Sequence, residues 1–175
     1  MRVSLIGAEL EENLGLRYIA AALEQAGHDI SIIPFASEHD AGPVVSRVTE
    51  LRPDIAGLSM VFTGRGREFC RLARALREGG YRGHLIGGGH FASFNCRQLL
   101  CDYPEFDSIA LGEGEELMCR LAGNLESPEN VPGLCYRRPD GSLTNQTGKI
   151  YRLTLFGQTP EKASQILPVN FKPEL

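Results

Sequence analysis

The chain has 175 residues, 42% hydrophobic and 23% charged, with a formal net charge of −4, the profile of one globular domain with length to spare for a tail. It has no basic run for nucleic acid and no apolar stretch near the roughly 20 residues of a membrane helix, and residues 1–7 are too short and glycine-terminated for a signal peptide. A cytoplasmic protein without nucleic-acid or membrane partners is therefore expected.

The pattern alternates short apolar runs with amphipathic segments. Residues 3–6 read as a first strand. Residues 16–25 follow as a helix, with Leu16, Ile19, Ala20 and Leu23 at helical spacing and Gly27 just beyond its end. Residues 30–33 make a β-branched second strand, and 43–51 a short helix stopped near Pro53. Residues 55–61 form a third strand. Residues 65–78 form the clearest helix, with Phe69, Leu72, Ala73 and Leu76 buried and Arg67, Arg71, Arg74 and Arg77 facing water. A short fourth strand at 85–86, a helix at 93–101, a fifth strand at 109–111 and a last helix at 115–124 complete the series.

Strands alternating with helices predict an α/β, doubly wound, flavodoxin-like sheet of five parallel strands in the order 2-1-3-4-5. After Pro132, residues 133–137 are strand-like and Asp140-Gly141 is a hairpin signal. The expected organisation is a Rossmann-like domain over 1–131, a β extension over 132–144, and a linker or tail over 145–175.

Two glycine turns end apolar runs: Gly87-Gly88-Gly89-His90 after the fourth strand, and Gly112-Glu113-Gly114-Glu115 after the fifth. Ligands on such sheets bind at the carboxyl ends of the strands, and glycines there let a ligand approach the backbone. A Walker loop is absent. The Gly112-x-Gly114 pair lacks the third glycine of a dinucleotide fingerprint and follows the wrong strand. Glu9, Glu11 and Glu12 after the first strand would repel phosphate. Ser59-Met60 stands where a phospho-receiver domain needs aspartate.

Five segments, taken together, resemble the cobalamin-binding domains fused to the N-terminus of radical S-adenosylmethionine enzymes. They are residues 13–28 from Asn13 to His28, Pro53-Asp54-Ile55-Ala56-Gly57-Leu58-Ser59-Met60, Gly87-Gly88-Gly89-His90 with Ala92-Ser93, Gly112-Glu113-Gly114-Glu115-Glu116, and Pro132-Gly133-Leu134-Cys135-Tyr136-Arg137. The resemblance spans about residues 3–143. It implies cobalamin as cofactor, with the corrin ring over the strand ends and the nucleotide tail threaded into the sheet. Implied cofactor-binding residues are Glu12, Asn13, Leu14 and Gly15 in the first loop; Ser59, Met60, Val61 and Thr63 after the third strand; and both glycine turns with His90, Glu113 and Glu115. Ser59 would hydrogen-bond the tail, and the turns would offer N–H groups to its phosphate and ribose.

In other cobalamin carriers an Asp-x-His-x-x-Gly motif supplies a histidine below cobalt. Anchored on Gly15, Glu12 occupies that place here, which implies cobalt without a histidine lower ligand. The cysteines Cys70, Cys96, Cys101, Cys119 and Cys135 show neither Cys-x-x-Cys nor Cys-x-x-x-Cys-x-x-Cys spacing. That argues against a zinc site, a disulfide framework and an iron–sulfur cluster in this chain, and fits a reducing compartment. The expected role is a non-catalytic carrier of corrinoid for methyl transfer or radical chemistry performed by a separate or missing radical S-adenosylmethionine domain. A flavodoxin-like interaction module that has lost its cofactor is the alternative.

Overall fold

A computed structural model of the chain describes residues 1–8, 13–61 and 63–144. Glu12 and the proposed tail at 145–175 lie outside the described residues. One sheet contains β1 (Arg2–Gly7), β2 (Asp29–Pro34), β3 (Ile55–Ser59), β4 (His84–Gly88), β5 (Ser108–Ala110) and β6 (Leu134–Tyr136), in the order β2-β1-β3-β4-β5-β6. The first five strands are parallel and follow the predicted order.

The sheet has a sixth strand beyond the five expected, and β6 runs antiparallel to β5. The cause is local. Gly133 has φ +84°, a left-handed conformation that suits glycine, and it reverses the chain beside β5. Leu111 N–H then donates to the Gly133 carbonyl at 2.8 Å.

Helices cover both faces. On one face lie α1 (Leu14–Gln25) and α6 (Gly114–Gly123), which bury Leu16, Ala20, Leu23, Leu117, Met118 and Leu121 against Val3, Leu5, Ile55 and Ile86. On the other lie α2 (Ala41–Leu51), α3 (Gly66–Glu78), α4 (His90–Phe94) and α5 (Cys96–Asp102), packed on Ile6, Leu58, Leu85 and Ile109. Successive strand residues thus feed opposite layers, as the period of two requires. Each helix has its stop. Gly27 (φ +81°) follows α1, and Arg52 takes a left-handed φ of 47° at the end of α2, just before Pro53.

Two local expectations are corrected. The single helix expected over 93–101 is two helices, because Asn95 leaves helical geometry (φ −111°, ψ 18°) and its side-chain amide donates to the Phe91 carbonyl at 2.8 Å. Arg77 does not face water with the other arginines of α3. Its guanidinium donates to the carbonyls of Tyr81, Gly83 and Glu105 and pairs with Asp107 at 2.6 Å. Asp107 also accepts from Leu85 N–H, so α3 is stitched to the entry of β4 and β5.

Beside that network, His84 Nε2 lies 2.7 Å from the Ser108 hydroxyl, and Ser108 is wholly buried. Burial holds the His84 pKa below the usual imidazole value; Asp107 opposes this and Arg77 adds to it. A depressed histidine stabilises the fold fully above the unfolded value of about 6.5, and that contribution is lost as pH falls through the folded pKa. Melting temperature should therefore drop between pH 7.5 and pH 5.5, and the drop should shrink in His84→Gln. An equal drop in both proteins would assign the acid sensitivity elsewhere.

Among the described residues, no helix is long and apolar enough to cross a membrane. All five cysteines are free thiols, and burial raises Cys70 to about 11 and Cys135 to about 12.

Candidate functional site

The strand ends of β1, β3, β4 and β5 meet along one edge, and the sequence-predicted residues of the described region converge there. Ser59 pairs with Gly88 in the β3–β4 ladder, and Gly87 with Ile109 in the β4–β5 ladder. Alternation then puts Gly7, Ser59, Gly88 and Ala110 in one row on the α1/α6 face. All are small. A Cβ placed on Gly7 would lie 3.0 Å from Ser59 Cβ, and one on Gly88 would meet nothing nearer than Ala110 Cβ at 3.7 Å. The row is a shallow trough in the sheet, and Ser59 is its half-buried hydroxyl.

The three glycines of the first turn do different work. Gly87 points to the opposite face, where a Cβ would lie 2.9 Å from Ile109 Cδ1 and 3.3 Å from both Met60 Sδ and Phe106 Cε1. It is a packing glycine. Gly88 is the open one. Gly89 has φ +96°, and a Cβ there would lie 2.9 Å from the Met60 carbonyl oxygen, so it makes the turn. Met60 is fully buried, and its backbone laces the turn to β3: its N–H donates to Gly88 at 2.7 Å and its carbonyl accepts from Phe91 at 3.1 Å. Val61 is half-buried, Thr63 opens the 3₁₀ turn Thr63–Arg65, and His90 begins α4 in an exposed position.

In the second turn, Gly112 has φ +84° and is exposed beside exposed Glu113. Gly114 and Glu115 are half-buried at the start of α6, where Glu115 suits the positive end of the helix dipole. Gly114 packs on α1: a Cβ would lie 2.6 Å from Ile19 Cδ1. Gly7 does the same lower down, with Leu16 Cδ1 at 2.7 Å. Asn13 caps α1 by accepting from Leu16 N–H at 3.2 Å, and its amide donates to the Ala8 carbonyl at 3.1 Å, joining the end of β1 to the helix. Leu14 and Gly15 are exposed beside it.

The matching family model is that of the B12 binding domain, over residues 8–122. The chain belongs to the B12-binding domain family. It is 30% identical over 155 residues to the cytidylyl-2-hydroxyethylphosphonate methyltransferase of Streptomyces wedmorensis, covering 74% of this chain and 28% of that protein. It is 31% identical over 142 residues to the hopanoid C-3 methylase of Methylococcus capsulatus, covering 77% of this chain and 27% of that protein. In fold it is similar to the cobalamin-dependent S-adenosylmethionine radical enzyme OxsB, with a TM-score of 0.69 and 19% identity, over 85% of this chain and 22% of that one. The chain spans about a quarter of the length of these relatives.

Membership of the B12-binding domain family implies cobalamin as ligand, and the trough fits part of such a ligand. A flat or threaded group needs a sheet without side chains in its path. Ser59, Gly88 and Ala110 provide that on the face where α1 and α6 meet. Several contributors were not singled out from the sequence. Gly7 and Ala110 complete the row and are recoverable by counting alternate residues forward from Val3 and Ser108. Arg65 lies 5.4 Å over the Phe35 ring and 5.3 Å over Phe69, donates to the Phe35 carbonyl and pairs with Glu68 at 2.8 Å, fastening the segment after β3 to the end of β2. Nothing in periodicity marks that arginine.

Proposed function

We propose that this B12-binding domain holds a corrinoid whose cobalt has no histidine beneath it, and that it serves methyl transfer or radical chemistry carried out by a separate radical S-adenosylmethionine domain. The observation that carries the reading is the row Gly7, Ser59, Gly88 and Ala110, open at Gly88 and flanked by two glycine turns. In this reading the Ser59, Gly88 and Ala110 part of the row receives the nucleotide tail, Ser59 hydrogen-bonds it, and N–H groups of the turns meet its phosphate and ribose. Glu113 and Glu115 are poor phosphate neighbours and better partners for hydroxyls. Bound cobalamin supplies a cobalt that accepts and donates a methyl group.

The absence of a lower histidine is supported by sequence: no histidine occurs between residues 8 and 27. The related methyltransferase and methylase, together with the OxsB fold, support the partner domain.

Protein mixed with hydroxocobalamin and desalted should retain a corrinoid visible spectrum at close to one equivalent. After reduction to cobalt(II), electron paramagnetic resonance should show no splitting from an axial nitrogen. A colourless, folded protein would remove the cobalamin reading. Nitrogen splitting would remove the part concerning the lower face.

A further inference from the structure

We infer that Ser93 is a positioning residue that sets the spacing of the two glycine turns, and through it the affinity for the nucleotide tail of a corrinoid. The inference rests on the tail reading proposed above. The β4–β5 ladder ends at the pair Gly87–Ile109, so Gly88 and Ala110 lie past its last rung. Beyond that rung a side chain makes the link. The Ser93 hydroxyl donates to the Ala110 carbonyl at 3.1 Å and accepts from Gly112 N–H at 3.4 Å. The Ser93 N–H donates to the Gly89 carbonyl at 2.9 Å.

One residue of α4 therefore holds a point in each turn. It reaches them from the α4 side of the sheet, because Ala92 beside it is buried in the opposite core layer from Ala110. Ser93 thus has no place in the trough itself, where Gly88 faces Ala110. Its hydroxyl fixes how far β5 stands from β4 at the level where Gly88 leaves room. It also occupies the Ala110 carbonyl. Without the hydroxyl, that carbonyl and the Gly112 N–H lose their common partner, and the two turns are free to separate.

The test compares affinity for cobalamin and for cobinamide, which has the corrin ring but no nucleotide tail. Wild type should prefer cobalamin. Ser93→Ala should lose about five- to tenfold in cobalamin affinity, the worth of one hydrogen bond, with cobinamide affinity within about twofold of wild type. Ser93→Thr, which keeps the hydroxyl, should restore the preference. Cobinamide binding reports a folded site in every variant, and Ser93→Cys provides a near-isosteric second replacement that should fall between Ala and Thr.

An unchanged cobalamin preference in Ser93→Ala overturns the inference, as does an equal loss for both ligands or a failure of Thr to rescue. A wild type that does not distinguish the two ligands overturns the tail reading itself, and this inference with it.

Discussion

Gly88→Leu should abolish retention of cobalamin and leave the protein folded. A β-carbon at residue 88 meets Ala110 Cβ at 3.7 Å, an ordinary contact, and the φ of Gly88 is not positive. Its backbone thus accepts a side chain. Leucine would stand in the trough between Ser59 and Ala110 and displace whatever lies there. The expected loss is about 100-fold or more in affinity, roughly 2.7 kcal/mol, with a melting temperature near that of wild type. Gly88→Ala should fold as well and lose less. The neighbour is the control. Gly87→Ala drives a methyl against Ile109, Met60 and Phe106 in the other layer, so it should cost about 1–3 kcal/mol of stability. Equilibrium binding with visible spectra, read beside thermal melts, separates the two. Full cobalamin retention by Gly88→Leu would place the ligand elsewhere.

The largest effect on stability should come from Arg137. Its guanidinium donates to the Leu100 carbonyl at 2.6 and 3.1 Å, to Phe106 at 2.9 Å and to Tyr103 at 3.1 Å. It follows β6 directly and takes up carbonyls at the end of α5 and in the segment leading to β5. Removing it leaves these acceptors without a common donor, and a charge-assisted bond is worth about 1.5–3 kcal/mol. Because the bonds share one group, their contributions do not add, and Arg137→Ala should cost about 2–4 kcal/mol. Arg137→Lys should recover little, since one ammonium cannot reach carbonyls in a forked arrangement. Urea unfolding measures this. A cost under about 0.5 kcal/mol would show that water replaces the arginine.

The parallel frame was legible because short apolar runs, buried on both faces, alternate with segments of period 3.6 through α6. β6 was legible as a strand-like run, but its membership of the sheet was not. Direction depends on Gly133 and on Arg137 reaching α5, and neither leaves a periodic trace. The arginine stripe misled at Arg77: its spacing matches Arg67, Arg71 and Arg74, yet the chain brings Asp107 and three carbonyls to it. In the site, the glycine turns were legible as turns. The separate duties of Gly87, Gly88 and Gly89 were not, because they depend on which layer each would point into. Ser93 sat inside a motif, but its partners are on another strand.

The close seating of α1 has a consequence for reading a mutational scan. Leu16 and Ile19 occupy the space that side chains at Gly7 and Gly114 would take. Those two glycines act as shims beneath a lever: a methyl added at either pushes on Leu16 or Ile19 and so on the seat of the helix and its cap Asn13. Binding lost at residue 7 or 114 then reports the height of α1 above the sheet rather than a touch on the ligand. Compensating changes should arise by trimming Leu16 or Ile19, not by reshaping the trough.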